Sequence, residues 1–211
     1  MTAGGAELNV AVNASNLGLK TAWLSRLVNN WSGRFIQNKG RELGVDVSQV
    51  VWTEFDGVGR ERNGFYHLEL GAGPRAASVT YDRGYTAISN MKVGEINWGH
   101  VFKNAHWFHL SGITPALSES VAAVCAEALQ AARDSGLNTS YDLNFRSKLW
   151  TSEEAQKVNR ELVRYVTVLI GNEEDFEKSL GYKANQISKA FSEISKEGKV
   201  IAVSYTHLLD H

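Results

Sequence analysis

Asp142, Asn144 and Arg146 stand at alternate positions in the stretch TSYDLNFRSKLW, residues 139–150. On an extended segment alternate residues project from one face, so an acid, an amide and a guanidinium would stand side by side. Such a row can hold a polar ligand by hydrogen bonds, or it is a strand end running out into a solvated loop. A second group lies near the start, where Gly4 and Gly5 precede a helical pattern with Asn9 one turn inside it. Paired glycines let a ligand approach the backbone, and the first-turn amides are free donors. The plain alternative there is a flexible turn before a helix.

Tyr66, Tyr81 and Arg83 fall in RNGFYHLELGAGPRAASVTYDR. A tyrosine offers an apolar face and a hydroxyl, and arginine a planar fork suited to a carboxylate. Aromatic residues on strands also serve as packing. Asn172 and Asp175, in NEED, read as a helix N-cap with acids that complement the helix dipole. They also read as an amide and acid pair near Mg²⁺ and phosphates. His106 and His109 are three apart on an apolar run, so a strand points them to opposite faces and they cannot readily chelate one ion. Cys125 lies on the apolar side of a helical pattern and reads as a packed thiol.

The elements that must position these residues alternate regularly in the second half. AHWFHLSGI reads as a buried strand, and SESVAAVCAEALQAARDSG as a helix capped by Ser118 and stopped at Gly136. SYDLNF returns to a strand, and TSEEAQKVNRELVRYV opens with Thr151 and Glu154 in capping-box register. VTVLIG is a strand, NEEDFEKSLG a short helix stopped at Gly181, NQISKAFSEISKEG a helix and KVIAVS a strand. Strand and helix in turn, with apolar strands, predict an α/β fold whose parallel sheet is covered on both faces. In the first half, ELNVAVNASNLG reads as a helix ending at Gly18, KTAWLSRLV as a strand and SGRFIQNKGRELG as a helix ending at Gly44. Between Asp56 and Arg83 two period-two segments flank a Gly-Pro turn, which predicts a β-hairpin flap at about 57–84.

The 211 residues are enough for one substantial domain. Hydrophobic residues at 43% and charged residues at 21% are ordinary for a soluble globular protein. A net charge of −1 gives no electrostatic reason to expect nucleic acid or an anionic membrane as partner. With Cys125 as the single cysteine, no internal disulfide forms. No apolar run approaches the roughly 18 residues of a membrane span, and the start MTAGGAELNV lacks the layout of a secretory signal. The expectation is a soluble cytoplasmic protein.

In their order along the chain, GGAELNVA, GLKTAWLSRL, SVTYDR, WFHLSGITPALS, DLNFRSKLW and NEED resemble the ribokinase-like sugar kinases of the phosphofructokinase B type, and within them the 2-keto-3-deoxygluconate kinases. The resemblance spans nearly all of residues 3–182. It implies a ribokinase-like domain over 1–211, with a parallel central sheet, helices on both faces and a β-lid closing over the sugar. It further implies a carbohydrate kinase using ATP and Mg²⁺ to phosphorylate a sugar acid. Gly5, Asn9, Tyr66, Tyr81, Arg83 and Arg146 would bind the substrate. Asn144, Arg146 and Asn172 would meet the nucleotide phosphates, and Asp175, one methylene shorter than the usual Glu, would meet the metal. Arg146 could pair with a keto-acid carboxylate or with the transferring phosphate through a bidentate fork. Lid strands in this family often pair between subunits, which implies a homo-oligomer.

Two departures stand out. The family's opening strand, which precedes the double glycine, has no counterpart before Gly4, and its Gly-Ala-Gly-Asp element, which carries the general base and an anion hole, is not in this sequence. The chain therefore reads as truncated at both ends, with no catalytic base of its own and no turnover expected from it alone. The final SYTHLLDH does not continue the family pattern. A sugar-acid-binding module or pseudokinase, or a kinase for another hexose, is the alternative.

Overall fold

The helix expected to stop at Gly18 runs over Ala6–Asn16 (α1), and Gly18 takes the left-handed backbone, φ 88°, that ends it. The single strand expected over KTAWLSRLV is instead two short ones, β1 (Thr21–Ala22) and β2 (Arg26–Asn29). The division follows their partners. After α2 (Trp31–Glu42) come β3 (Val45–Asp46) and β4 (Val51–Glu54); β1 pairs in parallel with β3, and β2 in parallel with β4. The chain between β1 and β2 steps from one partner to the other, with Trp23 N–H donating to Asp46 O and Val51 N–H to Ser25 O. Leu27, Val45, Val47 and Val50 close with Ala11 into a buried core, and Trp23, Ile36 and Trp52 pack against it.

The expected hairpin is present as β5 (Phe65–Glu69) and β6 (Ser78–Asp82). It is antiparallel, with Tyr66 opposite Tyr81 and Leu68 opposite Val79. Its turn is closed by Ala72 and Arg75, which exchange backbone hydrogen bonds around Gly73 and Pro74. Gly73 has φ 59°, open to glycine at no steric cost. These elements form one unit, Met1–Met91, and Lys92–His211 forms another. The computed structural model describes residues 1–186, 192–193 and 202–204.

The second unit follows the predicted alternation: α3 (Trp98–Val101), β7 (Trp107–Ser111), α4 (Glu119–Asp134), β8 (Asn138–Asp142), α5 (Ser152–Leu162), β9 (Val168–Ile170), α6 (Glu173–Leu180) and β10 (Ala202–Ser204). The four strands form one parallel sheet in the order β10-β9-β8-β7. The helix starts obey local chemistry: Ser118 Oγ accepts from Val121 N–H, and Thr151 and Glu154 close a capping box. Gly181 ends α6 in the left-handed region. Leu110, Tyr141 and Leu169 lie in register across the sheet and are buried. The other row, Ser111, Asp142 and Ile170, with His109 and Ser140 behind it, is largely polar. The strands are therefore less uniformly apolar than expected. The helix predicted over NQISKAFSEISKEG and residues 205–211 lie outside the described residues, apart from Asn185, Gln186, Ser192 and Glu193.

Candidate functional site

In the first unit the double glycine and the hairpin come together. Gly5 is the N-cap of α1 with φ 150°, a conformation that L side chains rarely adopt, and no side chain caps the helix there. Gly4 lies against Tyr66: a Cβ added to it would sit 3.4 Å from the Tyr66 hydroxyl. Asn9 is one turn in, with its side chain exposed and its N–H bonded to Gly5 O at 2.9 Å. Tyr66 and Tyr81 are cross-strand partners with ring centroids 6.2 Å apart. The Arg83 guanidinium lies over the Tyr81 ring at 3.8 Å. This cation–π contact places the guanidinium beside the ring, and a guanidinium fork suits a planar carboxylate. The hairpin face thus offers two phenol hydroxyls and a guanidinium.

The hairpin is anchored at its root by residues that the motif reading passed over. Asn63 is 3% exposed. Its Oδ1 accepts Val28 N–H at 3.0 Å, and its Nδ2 donates to Ser32 Oγ at 2.9 Å and Asn30 Oδ1 at 3.1 Å. Arg62 bonds Asp82 and Gly84 O across the root. Arg26 donates to Glu61 Oε1 at 2.6 Å and to Ala87 O at 3.0 Å. Burial pushes the Glu61 carboxyl up, but the Arg26 bond and further hydrogen bonds outweigh it and leave it below its ordinary value. The one sequence signal for this anchor was the polar run RERNG, residues 60–64, which also suits a surface turn.

The second unit corrects the opening geometry. β8 ends at Asp142, so Asp142, Asn144 and Arg146 do not alternate along one strand. Leu143 is fully buried, and Asn144 takes a left-handed conformation, φ 39°. Tertiary bonds hold this bend. Asn144 Nδ2 donates to Ser111 Oγ at 3.1 Å, and Phe145 N–H donates to Asp175 Oδ1 at 2.9 Å. Arg146 is exposed and donates from Nη1 to Phe145 O at 2.8 Å, so part of its fork is used locally. Asn144 and Arg146 nonetheless sit in one loop at the carboxyl end of the sheet, where open α/β sheets place ligands.

Asn172 and Asp175 close a reciprocal capping box on α6. Asp175 Oδ2 accepts Asn172 N–H at 3.0 Å, and Asn172 Oδ1 accepts Asp175 N–H at 2.9 Å. Both carboxylate oxygens of Asp175 therefore already accept backbone N–H groups. Among the described residues no group of three or more His, Cys, Asp and Glu could hold a metal ion. One lone pair of each Asp175 oxygen is committed to the backbone. His109 is bonded to Ser140 Oγ at 2.8 Å, as is Trp107 Nε1, and burial lowers the His109 pKa; His106 is exposed. Cys125 is buried, as a packed thiol should be.

The profile of the pfkB family carbohydrate kinases matches residues 1–206. The chain belongs to that family. It is 40% identical over 171 residues to the 2-dehydro-3-deoxygalactonokinase of Haloferax volcanii, covering 81% of this chain and 52% of that protein. It is 31% identical over 149 residues to a 2-dehydro-3-deoxygluconokinase of Bacillus subtilis, covering 71% of this chain and 44% of the relative. The crystal structure of 2-dehydro-3-deoxygluconokinase from Thermotoga maritima superposes with a TM-score of 0.85 at 37% identity, over 96% of this chain and 62% of that one. The chain thus spans about half of the curated relatives' length. Among the described residues, no helix is long and apolar enough to cross a membrane.

Proposed function

We propose that the pfkB-family protein carrying this chain transfers the γ-phosphoryl group of ATP to a hydroxyl of a sugar acid, 2-keto-3-deoxygluconate in first place, in the cytoplasm. The observation that carries this reading is the hairpin face, with Arg83 stacked on Tyr81 and Tyr66 against Gly4. A neutral sugar needs hydroxyl partners alone, whereas a guanidinium held beside two phenols suits a carboxylate as well. Two of the relatives, from Haloferax volcanii and Thermotoga maritima, are named for 2-dehydro-3-deoxy sugar acids, which supports this substrate over the 5-dehydro-2-deoxygluconate for which other relatives are named.

Gly5, Asn9, Tyr66, Tyr81 and Arg83 bind and orient the sugar acid in this reading. Asn144 and Arg146 contribute the polar loop, and Asn172 stands at the start of α6, where a phosphate-facing amide belongs. Mg²⁺ supplies charge neutralisation at the phosphates when bound. Positioning and charge stabilisation are most of what phosphoryl transfer asks of a protein. The exposed Phe65, Leu68, Leu70 and Val79 of the hairpin support a second copy pairing there.

The test is a full-length version incubated with ATP and Mg²⁺ and, in turn, 2-keto-3-deoxygluconate, its galactonate epimer and fructose, with ADP release as readout. Turnover on a sugar acid, well above fructose, is expected. Calorimetric binding of sugar acid without ADP release would instead identify a binding module.

A further inference from the structure

We infer that Asp175 is a positioning residue for the sugar-facing loop, clipping that loop to α6, and not the metal-organising acid of the Asn-x-x-Glu element. The inference rests on the kinase reading above for what the loop does, and on hydrogen-bond geometry for what Asp175 does. Its two oxygens are divided between two segments: Oδ1 takes Phe145 N–H at 2.9 Å, and Oδ2 takes Asn172 N–H at 3.0 Å. Phe145 lies between Asn144 and Arg146, the two loop residues given a ligand-binding role above.

The bond to Phe145 acts where the backbone is least able to hold itself. Asn144 has φ 39°, which a non-glycine residue keeps only where its surroundings dictate it. Two side chains dictate it here, Ser111 on one side through Asn144 Nδ2 and Asp175 on the other through Phe145 N–H. Arg146 in turn donates to Phe145 O, so the Phe145 peptide plane that Asp175 orients also sets where the guanidinium starts. The chain runs Asn172, Asp175, Phe145, Arg146 by successive hydrogen bonds.

Side-chain length bears on this position. A Cβ built on Gly171 would lie 3.1 Å from Asp175 Cβ and 3.2 Å from Leu143 Cδ1, so the strand end and the helix start are close here. Glu would carry its carboxylate about 1.5 Å further out. A Glu at N3 can still cap its own helix, as Glu154 does on α5, but its contact with Phe145 N–H would have to form from a carboxylate set further out. The departure from the family's Glu therefore has a local use.

The test compares Asp175→Glu, Asp175→Asn and Asp175→Ala in a full-length version. Three readouts are taken: amide exchange at 143–149, the calorimetric Kd for 2-keto-3-deoxygluconate, and the Mg²⁺ midpoint of turnover. Losing a hydrogen bond to a charged group predicts exchange at Phe145 and a sugar-acid Kd each raised about tenfold or more in the Ala variant. Asn, which offers one acceptor where two N–H groups converge, should fall between. The Mg²⁺ midpoint should stay at the wild-type value throughout. A shifted Mg²⁺ midpoint in any variant, or an unchanged Phe145 exchange or sugar-acid Kd, overturns the inference. If the Ala variant does not fold, Glu decides: it keeps the charge and should still loosen Phe145. A wild-type protein that binds sugar acid without turnover refutes the kinase reading and leaves exchange and affinity to decide this one. A wild-type protein that binds no sugar acid overturns both.

Discussion

Asn63 accepts the backbone N–H of Val28 on its Oδ1 at 3.0 Å, joining the residue just before the hairpin to the middle of β2. The two are 35 positions apart, and the contact is buried. Removing the carboxamide would strand the Val28 N–H and the groups of Asn30 and Ser32 that it serves. An unsatisfied buried donor costs about 1–3 kcal/mol. Asn63→Ala should therefore lower stability in urea by that order. It should also weaken sugar-acid binding, because Tyr66 is held three residues further along. Unchanged stability would show that water replaces the side chain.

Arg146→Lys should lose much of its activity in a full-length version, since an ammonium cannot reproduce a planar fork. A loss of order 1.5–3 kcal/mol in kcat/KM is the scale of a hydrogen bond to a charged group. The variant also loses the bond to Phe145 O at 2.8 Å. Wild-type kinetics for both substrates would remove Arg146 from the site.

What was legible in the sequence was local. Ser118, Thr151 and Asn172 announce their helices because a cap and its partner lie three residues apart. The hairpin announces itself through period-two strands around Gly73 and Pro74. The strands β3 and β4 went unread because two to four residues of VDVSQVVWTE carry little pattern, and their partners are remote in sequence. The bend at Asn144 was invisible for the same reason: Ser111 and Asp175, which hold it, lie 33 residues before it and 30 residues after Phe145. Residue types at the candidate site could be read directly, while their orientation depended on such distant partners.

Burial keeps His109 neutral, lowering its pKa from 6.5. The unfolded chain then binds more protons than the folded one as pH falls through 6.5, so stability is complete above that value and declines below it, toward the folded pKa. Urea midpoints measured on either side of pH 6.5 should show this decline, and His109→Gln should flatten it. The lowered Glu61 acts in the same direction at more acidic pH, below its ordinary 4.5. A decline in the His109 variant as steep as in the wild type would place the titration elsewhere.

Gly112 and Gly136 separate two reasons for glycine. A Cβ on Gly112 would lie 2.1 Å from Leu143 O and 2.9 Å from Leu143 C, a backbone collision that no rotamer change relieves. A Cβ on Gly136 meets nothing within 4 Å, but φ there is 76°. Gly136→Ala should cost about 1–2 kcal/mol, the penalty of a left-handed L-residue. Gly112→Ala must move Leu143, the residue before the Asn144 bend, and overpacking of this kind costs about 1–3 kcal/mol or more. It should also weaken sugar-acid binding, because the loop of Asn144 and Arg146 moves with Leu143, whereas Gly136→Ala should leave binding intact. Equal binding in the two variants would show that the loop tolerates displacement of Leu143, and that its geometry is set after Asn144.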